Sequence, residues 1–159
     1  MSMLRAGIFQ SGGAGLGPAD RLAALAEAIT DQQLDLVVCP ELFMSGYNVG
    51  NDLHGLAERA DGPFAQSIAA LARQTGTAIC YGYPERDGET IYNSALVVSA
   101  TGHVLANHRK LAIPPGFEQS FFASGDQLTH FELGGMKCAL VICYDVEFPE
   151  TVRAACMAG

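Results

Sequence analysis

The chain predicts an α/β fold, and three features of its 159 residues carry that expectation. Short apolar runs rich in valine, isoleucine and leucine alternate with segments whose apolar residues recur every three or four positions. Later runs alternate more tightly and are separated by glycine-bearing turns, as hairpins are. Composition is the third feature: 49% of residues are hydrophobic and 16% charged, which fills a core and excludes a disordered polyelectrolyte. At this length residues 1–159 read as one domain.

The elements follow in order. Residues 4–9 make a first strand, ended by the glycine-rich loop 11–17, and Leu22, Leu25, Ala26 and Ile29 then take helical spacing behind an Asp20 cap. The run 34–39, stopped by Pro40, reads as a buried strand with functional residues just past its carboxyl end. Asp61, Gly62 and Pro63 open a second helix with Phe64, Ile68, Leu71 and Ala72 on one face, ended by Gly76. From there 78–83, 91–98 and 104–108 form a strand meander turned at Asp87-Gly88 and Thr101-Gly102. A second hairpin, 128–133 with 136–142, turns at Gly134-Gly135, and a helix with proline in its first turn covers 149–158.

Charge narrows the function classes. Nine basic against 17 acidic residues give a net charge of −8, which argues against nucleic acid or an anionic membrane as partner. No run approaches the roughly 18 apolar residues of a membrane span. The cysteines Cys39, Cys80, Cys138, Cys143 and Cys156 show no Cys-x-x-Cys spacing, so mostly buried free thiols in a reducing, cytoplasmic compartment are expected. Gly13-Ala14-Gly15-Leu16-Gly17 is followed by Pro18 where a dinucleotide fingerprint needs its third glycine, and reads as a plain loop. His54, His103, His108 and His130 share no i, i+4 spacing, and neither a metal nor a cofactor is expected.

Three polar side chains interrupt apolar runs at strand ends. Cys143 closes the run 138–142 shortly before the helix start at Pro149, where a helix N-terminus stabilises a thiolate and lowers its pKa. Position alone leaves it open between a nucleophile and a core cysteine. Glu41 follows a buried strand in Cys39-Pro40-Glu41-Leu42-Phe43, among apolar neighbours that suit a carboxylate to acid and base work. Lys110 follows a meander strand in His108-Arg109-Lys110-Leu111. A thiol nucleophile needs such a base and a stabiliser for the oxyanion.

Val-Cys-Pro-Glu-Leu-Phe around Glu41, His-Arg-Lys-Leu around Lys110 and Val-Ile-Cys-Tyr-Asp-Val-Glu-Phe-Pro-Glu around Cys143 resemble, in order and spacing, the three signature segments of the nitrilase superfamily, the carbon-nitrogen hydrolases. Ser-Gly-Tyr-Asn-Val-Gly at 45–50, Tyr-Gly-Tyr-Pro-Glu-Arg at 81–86 and Ile-Tyr-Asn-Ser at 91–94 are most similar to the aliphatic amidase branch. The resemblance implies a four-layer αββα sandwich and a Glu, Lys, Cys triad. In it Cys143 attacks an amide carbon, Glu41 carries the proton to the leaving ammonia, and Lys110 stabilises the oxyanion. Glu118 corresponds to a second glutamate that positions substrate and lysine, and the backbone N–H of Tyr144 would complete the oxyanion hole. Tyr47 is assigned to substrate binding.

Branches that take carboxylate-bearing amides carry an arginine a few residues past the nucleophile, where this chain has Asp145-Val146-Glu147. An acidic group there favours a cationic or neutral substrate tail, hence a small aliphatic or ω-amino amide. Glu147 reads nearly as well as a cap for the helix at Pro149. Other readings are an amine acyltransferase of the same family and a catalytically silent assembly module. The resemblance also implies a homodimer or higher homo-oligomer and a longer domain, of which these 159 residues hold little more than the first half. They are expected to be truncated on the C-terminal side and, alone, neither stable nor active.

Overall fold

The structure is a computed structural model that describes residues 3–12 and 15–158, so Gly13 and Ala14 of the glycine-rich loop lie outside the described residues. Strands β1 (Ala6–Ile8), β2 (Leu36–Val38), β3 (Ala78–Asp87), β4 (Thr90–Val98) and β5 (Val104–Arg109) lie in that order in one sheet. The first three pair in parallel and the last three antiparallel. Parallel neighbours need crossovers, supplied by helices α1 (Pro18–Ile29), α2 (Leu53–Leu56) and α3 (Pro63–Thr75).

Helix α1 begins ahead of the expected cap. Pro18 occupies the first turn, where its missing N–H would have no partner in any case, and Asp20 accepts the N–H of Gly17 at 3.3 Å from inside the helix. In α3, Pro63 leads, Glu58 accepts the Phe64 N–H at 2.9 Å, and Gly76 ends the helix at φ +66°. Leu25 and Ile29 of α1 meet Phe64, Ile68, Leu71 and Ala72 of α3 over Ile79, Tyr81, Leu96 and Val98 of the sheet.

Strand alternation sends Cys80, Val97 and Ala106 to the opposite face. There they pack against Phe131, Leu133, Cys138 and Leu140 of a hairpin, β6 (Thr129–Leu133) and β7 (Met136–Leu140), which follows the short helix α4 (Phe117–Phe121). On the hairpin's far side His130, Lys137 and Ala139 line a groove with Val152, Ala155 and Cys156 of α5 (Pro149–Ala158), and His130 Nε2 lies 3.0 Å from the Ala155 carbonyl. Helix, sheet, sheet, helix is the αββα layering that the resemblance implies.

Further expectations change. Strand β3 continues past Tyr83 because Glu85 is buried with partners on β4 and β5: Ser94 Oγ at 2.7 Å, Asn107 Nδ2 at 2.9 Å and Arg109 Nη2 at 2.6 Å. The thiols are also less buried than expected. Cys39 and Cys80 are buried and Cys138 is half-buried, but Cys143 sits exposed in a turn beyond β7 and Cys156 is exposed near the end of α5. Among the described residues no helix is long and apolar enough to cross a membrane.

Candidate active site

Glu41 leads the turn that follows β2. Cys39 N–H binds the Cys80 carbonyl at 2.8 Å and Met44 N–H binds the Gly82 carbonyl at 3.0 Å, which lays the turn flat across β3. That approach requires glycine at position 82, since a Cβ there would collide with the backbone of Pro40, Glu41 and Leu42. Leu42, at φ +49°, takes a conformation that side chains rarely adopt, and its side chain is fully buried.

Lys110 emerges from β5 onto the face of the sheet that looks toward the hairpin. Its side chain has no exposed surface, and Nζ donates to Glu41 Oε1 at 2.8 Å and to Glu118 Oε1 and Oε2 at 2.9 and 2.8 Å. Glu118 is buried on α4, where Tyr47 donates its hydroxyl to Oε1 at 2.7 Å and stacks edge-on against Phe117. Burial pulls the Lys110 ammonium down, but the bonds to Glu118 and Glu41 outweigh it and its pKa lies above the ordinary lysine value. The bond to Glu118 holds the Tyr47 phenol well above its usual range.

Cys143 stands at the start of a 3₁₀ turn, Cys143–Glu147, directly beyond Ile142, with φ +45°. The lowered pKa expected of a thiol at a helix N-terminus is not what its surroundings favour. Burial and the facing Glu41 carboxylate, which acts as both charge and hydrogen-bond acceptor, push the thiol up, while Lys110 pulls it down by less. The Tyr144 N–H has no acceptor among the described residues, and the Tyr144 ring packs edge-on against Phe148.

The structure thus brings Glu41, Lys110, Glu118, Cys143 and Tyr47 together, with Tyr144 beside them, and leaves Glu147 exposed at the far end of the turn. Of the acidic stretch after Cys143, Asp145 is buried and engaged with N–H groups, so only Glu147 offers a free charge.

Asn93 was not singled out from the sequence. Fully buried on β4, it donates Nδ2 to Glu41 Oε1 at 2.7 Å and to Glu118 Oε2 at 3.0 Å, bridging the two carboxylates. Those neighbours only accept, so the amide must face them with its nitrogen, and its Oδ1 is left buried without a partner. A signal for it existed: an asparagine inside the apolar run 91–98 cannot satisfy itself within a strand and needs polar company.

Known proteins share both the sequence pattern and the fold. The carbon-nitrogen hydrolase family matches residues 17–159. A Pseudomonas protegens protein described as "hydrolase in pqqF 5'region" is 48% identical over 147 residues, which is 90% of this chain and 50% of that protein. An (R)-stereoselective amidase from Pseudomonas sp. is 37% identical over 125 residues, 79% of this chain and 45% of the relative. A double mutant of the amidase from Nesterenkonia sp. AN1, solved in complex with acrylamide, superposes with a TM-score of 0.90 at 28% identity, covering 100% of this chain and 63% of that one. The chain spans about half the length of the curated relatives it matches. Fold, signature segments and relatives agree, and the chain belongs to the carbon-nitrogen hydrolase family, with the nitrilase-type αββα architecture.

Proposed function

We propose that Cys143, Glu41 and Lys110 form the catalytic centre of an amidohydrolase acting on a small aliphatic or ω-amino amide. The observation that carries the reading is one carboxylate, Glu41, held 2.8 Å from a buried ammonium while acting on the thiol of Cys143. The Sγ attacks the amide carbon and its proton passes to Glu41. The three N–H donors of Lys110 are all engaged at rest, by Glu41 and by both oxygens of Glu118. Once Glu41 is protonated its bond to Lys110 loses its ionic part, which frees that donor for the new oxyanion beside the Tyr144 N–H.

Collapse of the tetrahedral adduct breaks the C–N bond, and Glu41 returns the proton so that ammonia departs. Water then adds to the thioester with Glu41 again as base, and the carboxylic acid leaves as the thiol reforms. Glu118 fixes Lys110, and Asn93 holds the two carboxylates apart.

The segments 45–50, 81–86 and 91–94 are most like 5-aminopentanamidase, and Glu147, four residues past the nucleophile, gives a cationic tail a charge to meet. The expected result is a higher kcat/KM for 5-aminopentanamide than for succinamate. Equal values, or a preference for the acid, would remove the charge argument.

A further inference from the structure

We propose that Asp145 is a positioning residue, a pin that fixes the turn bearing the nucleophile against the strand end bearing the lysine. The inference rests on the roles given above to Cys143 and Lys110. Asp145 lies two residues past Cys143 and has no exposed surface. Its Oδ1 accepts the N–H groups of Leu111 at 3.0 Å and Ala112 at 2.7 Å, the residues that follow Lys110. Its Oδ2 accepts the N–H of Ile142, immediately before Cys143, at 3.0 Å. His108, two residues before Lys110, brings Nε2 to 3.5 Å from the same oxygen and rests its Nδ1 3.2 Å from Thr129 Oγ1. The chain on both sides of Lys110 and on both sides of Cys143 is thereby tied to one carboxylate. Among the described residues, the hydrogen bonds between the Cys143 turn and the segment 108–112 all end on this side chain.

The turn needs such a tie. Cys143 takes a positive φ of +45°, which costs a residue with a Cβ and persists only where the surroundings hold it. The Ile142 N–H to Asp145 Oδ2 bond and the reverse backbone bond, Asp145 N–H to the Ile142 carbonyl at 3.0 Å, close the turn along both edges. The carboxylate fits because its two oxygens face three backbone N–H donors, and an amide would turn its own N–H groups on one of them. Burial raises the Asp145 carboxyl, but the bonds from His108, Ala112 and Ile142 prevail and hold it below the ordinary aspartate value.

The test is Asp145→Asn in the whole protein, read in two ways: the pH profile of Cys143 alkylation by iodoacetamide, separated from Cys156 by peptide mass, and kcat and KM for amide hydrolysis. Burial and Glu41 hold the Cys143 thiol above the ordinary 9.0. A turn released from the lysine strand leaves that cluster, so the alkylation midpoint falls toward 9.0. The loss of alignment lowers kcat by about 10²-fold at little-changed KM. A folded variant with the wild-type profile and kcat overturns the proposal.

If the variant does not fold, His108→Leu decides. It removes one donor to Asp145 and gives a smaller displacement of the midpoint in the same direction, reversed by His108→Gln, which keeps a donor; an unmoved profile overturns the proposal. The two readings fail separately. If the wild-type protein hydrolyses no amide, the proposed activity fails, and the alkylation profiles alone still judge Asp145.

Discussion

At the scale of the residue, Lys110 has no exposed side-chain surface and gives its three N–H groups to Glu41 and Glu118. Replacing it by methionine would leave two carboxylates and Asn93 in the same space with no cation. Lys110→Met is therefore expected to lose about 3–5 kcal/mol of stability at neutral pH, measured by denaturant unfolding. A loss well below that range would mean that the two carboxylates tolerate each other without the lysine. Residues of this kind were the most legible part of the sequence. Glu41, Lys110 and Cys143 stand out as reactive groups inside apolar runs, because an ionisable side chain in such a run demands a partner. Asn93 and Asp145 were less legible because they act through what they hold. An asparagine in a strand and an aspartate two positions past a cysteine look ordinary until the third dimension supplies two carboxylates for one and three backbone N–H groups for the other.

At the scale of the element, the site depends on how closely the Glu41 turn lies on β3. Gly82→Ala puts a methyl group where the backbone of Pro40, Glu41 and Leu42 already stands, so the turn must lift. The expected result is a stability loss of about 1–3 kcal/mol, as for other overpacked sites. A fall of about 10² in kcat should accompany it as Glu41 leaves Cys143. Thermal unfolding with steady-state kinetics checks both, and an alanine variant with unchanged kcat would show that the turn carries Glu41 elsewhere. The order of strands and helices was readable from period and turn residues, while several ends were not. Strand β3 outruns its apolar run because Glu85 finds Arg109, Ser94 and Asn107 across the sheet, a pairing without local trace. The short helix α4, which carries Glu118, was missed because five residues are too few for a period to show.

At the scale of the whole molecule, the paired charges set a pH window. Asp145 and Glu85 have folded-state pKa values below the ordinary 3.8 and 4.5, so their contribution is complete above those values and is lost as pH falls through the lower folded values. Lys110 is raised above 10.5, so its contribution is complete below that value and is lost only as pH rises through the folded value. Unfolding free energy measured against pH should therefore fall below about 4 and hold through the neutral range; a fall beginning at pH 6 would point to histidine in place of these groups. The layering that brings the groups together is the nitrilase-type sandwich, present here over about half the length of the curated relatives.

If the thiol of Cys143 takes the acyl group of an amide and expels ammonia, the acyl-enzyme can be trapped. The protein is mixed with a panel of small aliphatic and ω-amino amides, quenched in acid during turnover and mapped by peptide mass while ammonia is counted. The expected result is an acyl mass on the Cys143 peptide, none on Cys156, and ammonia release that Cys143→Ala abolishes. Ammonia released at an undiminished rate by Cys143→Ala, or an acyl group carried by another side chain, would contradict it.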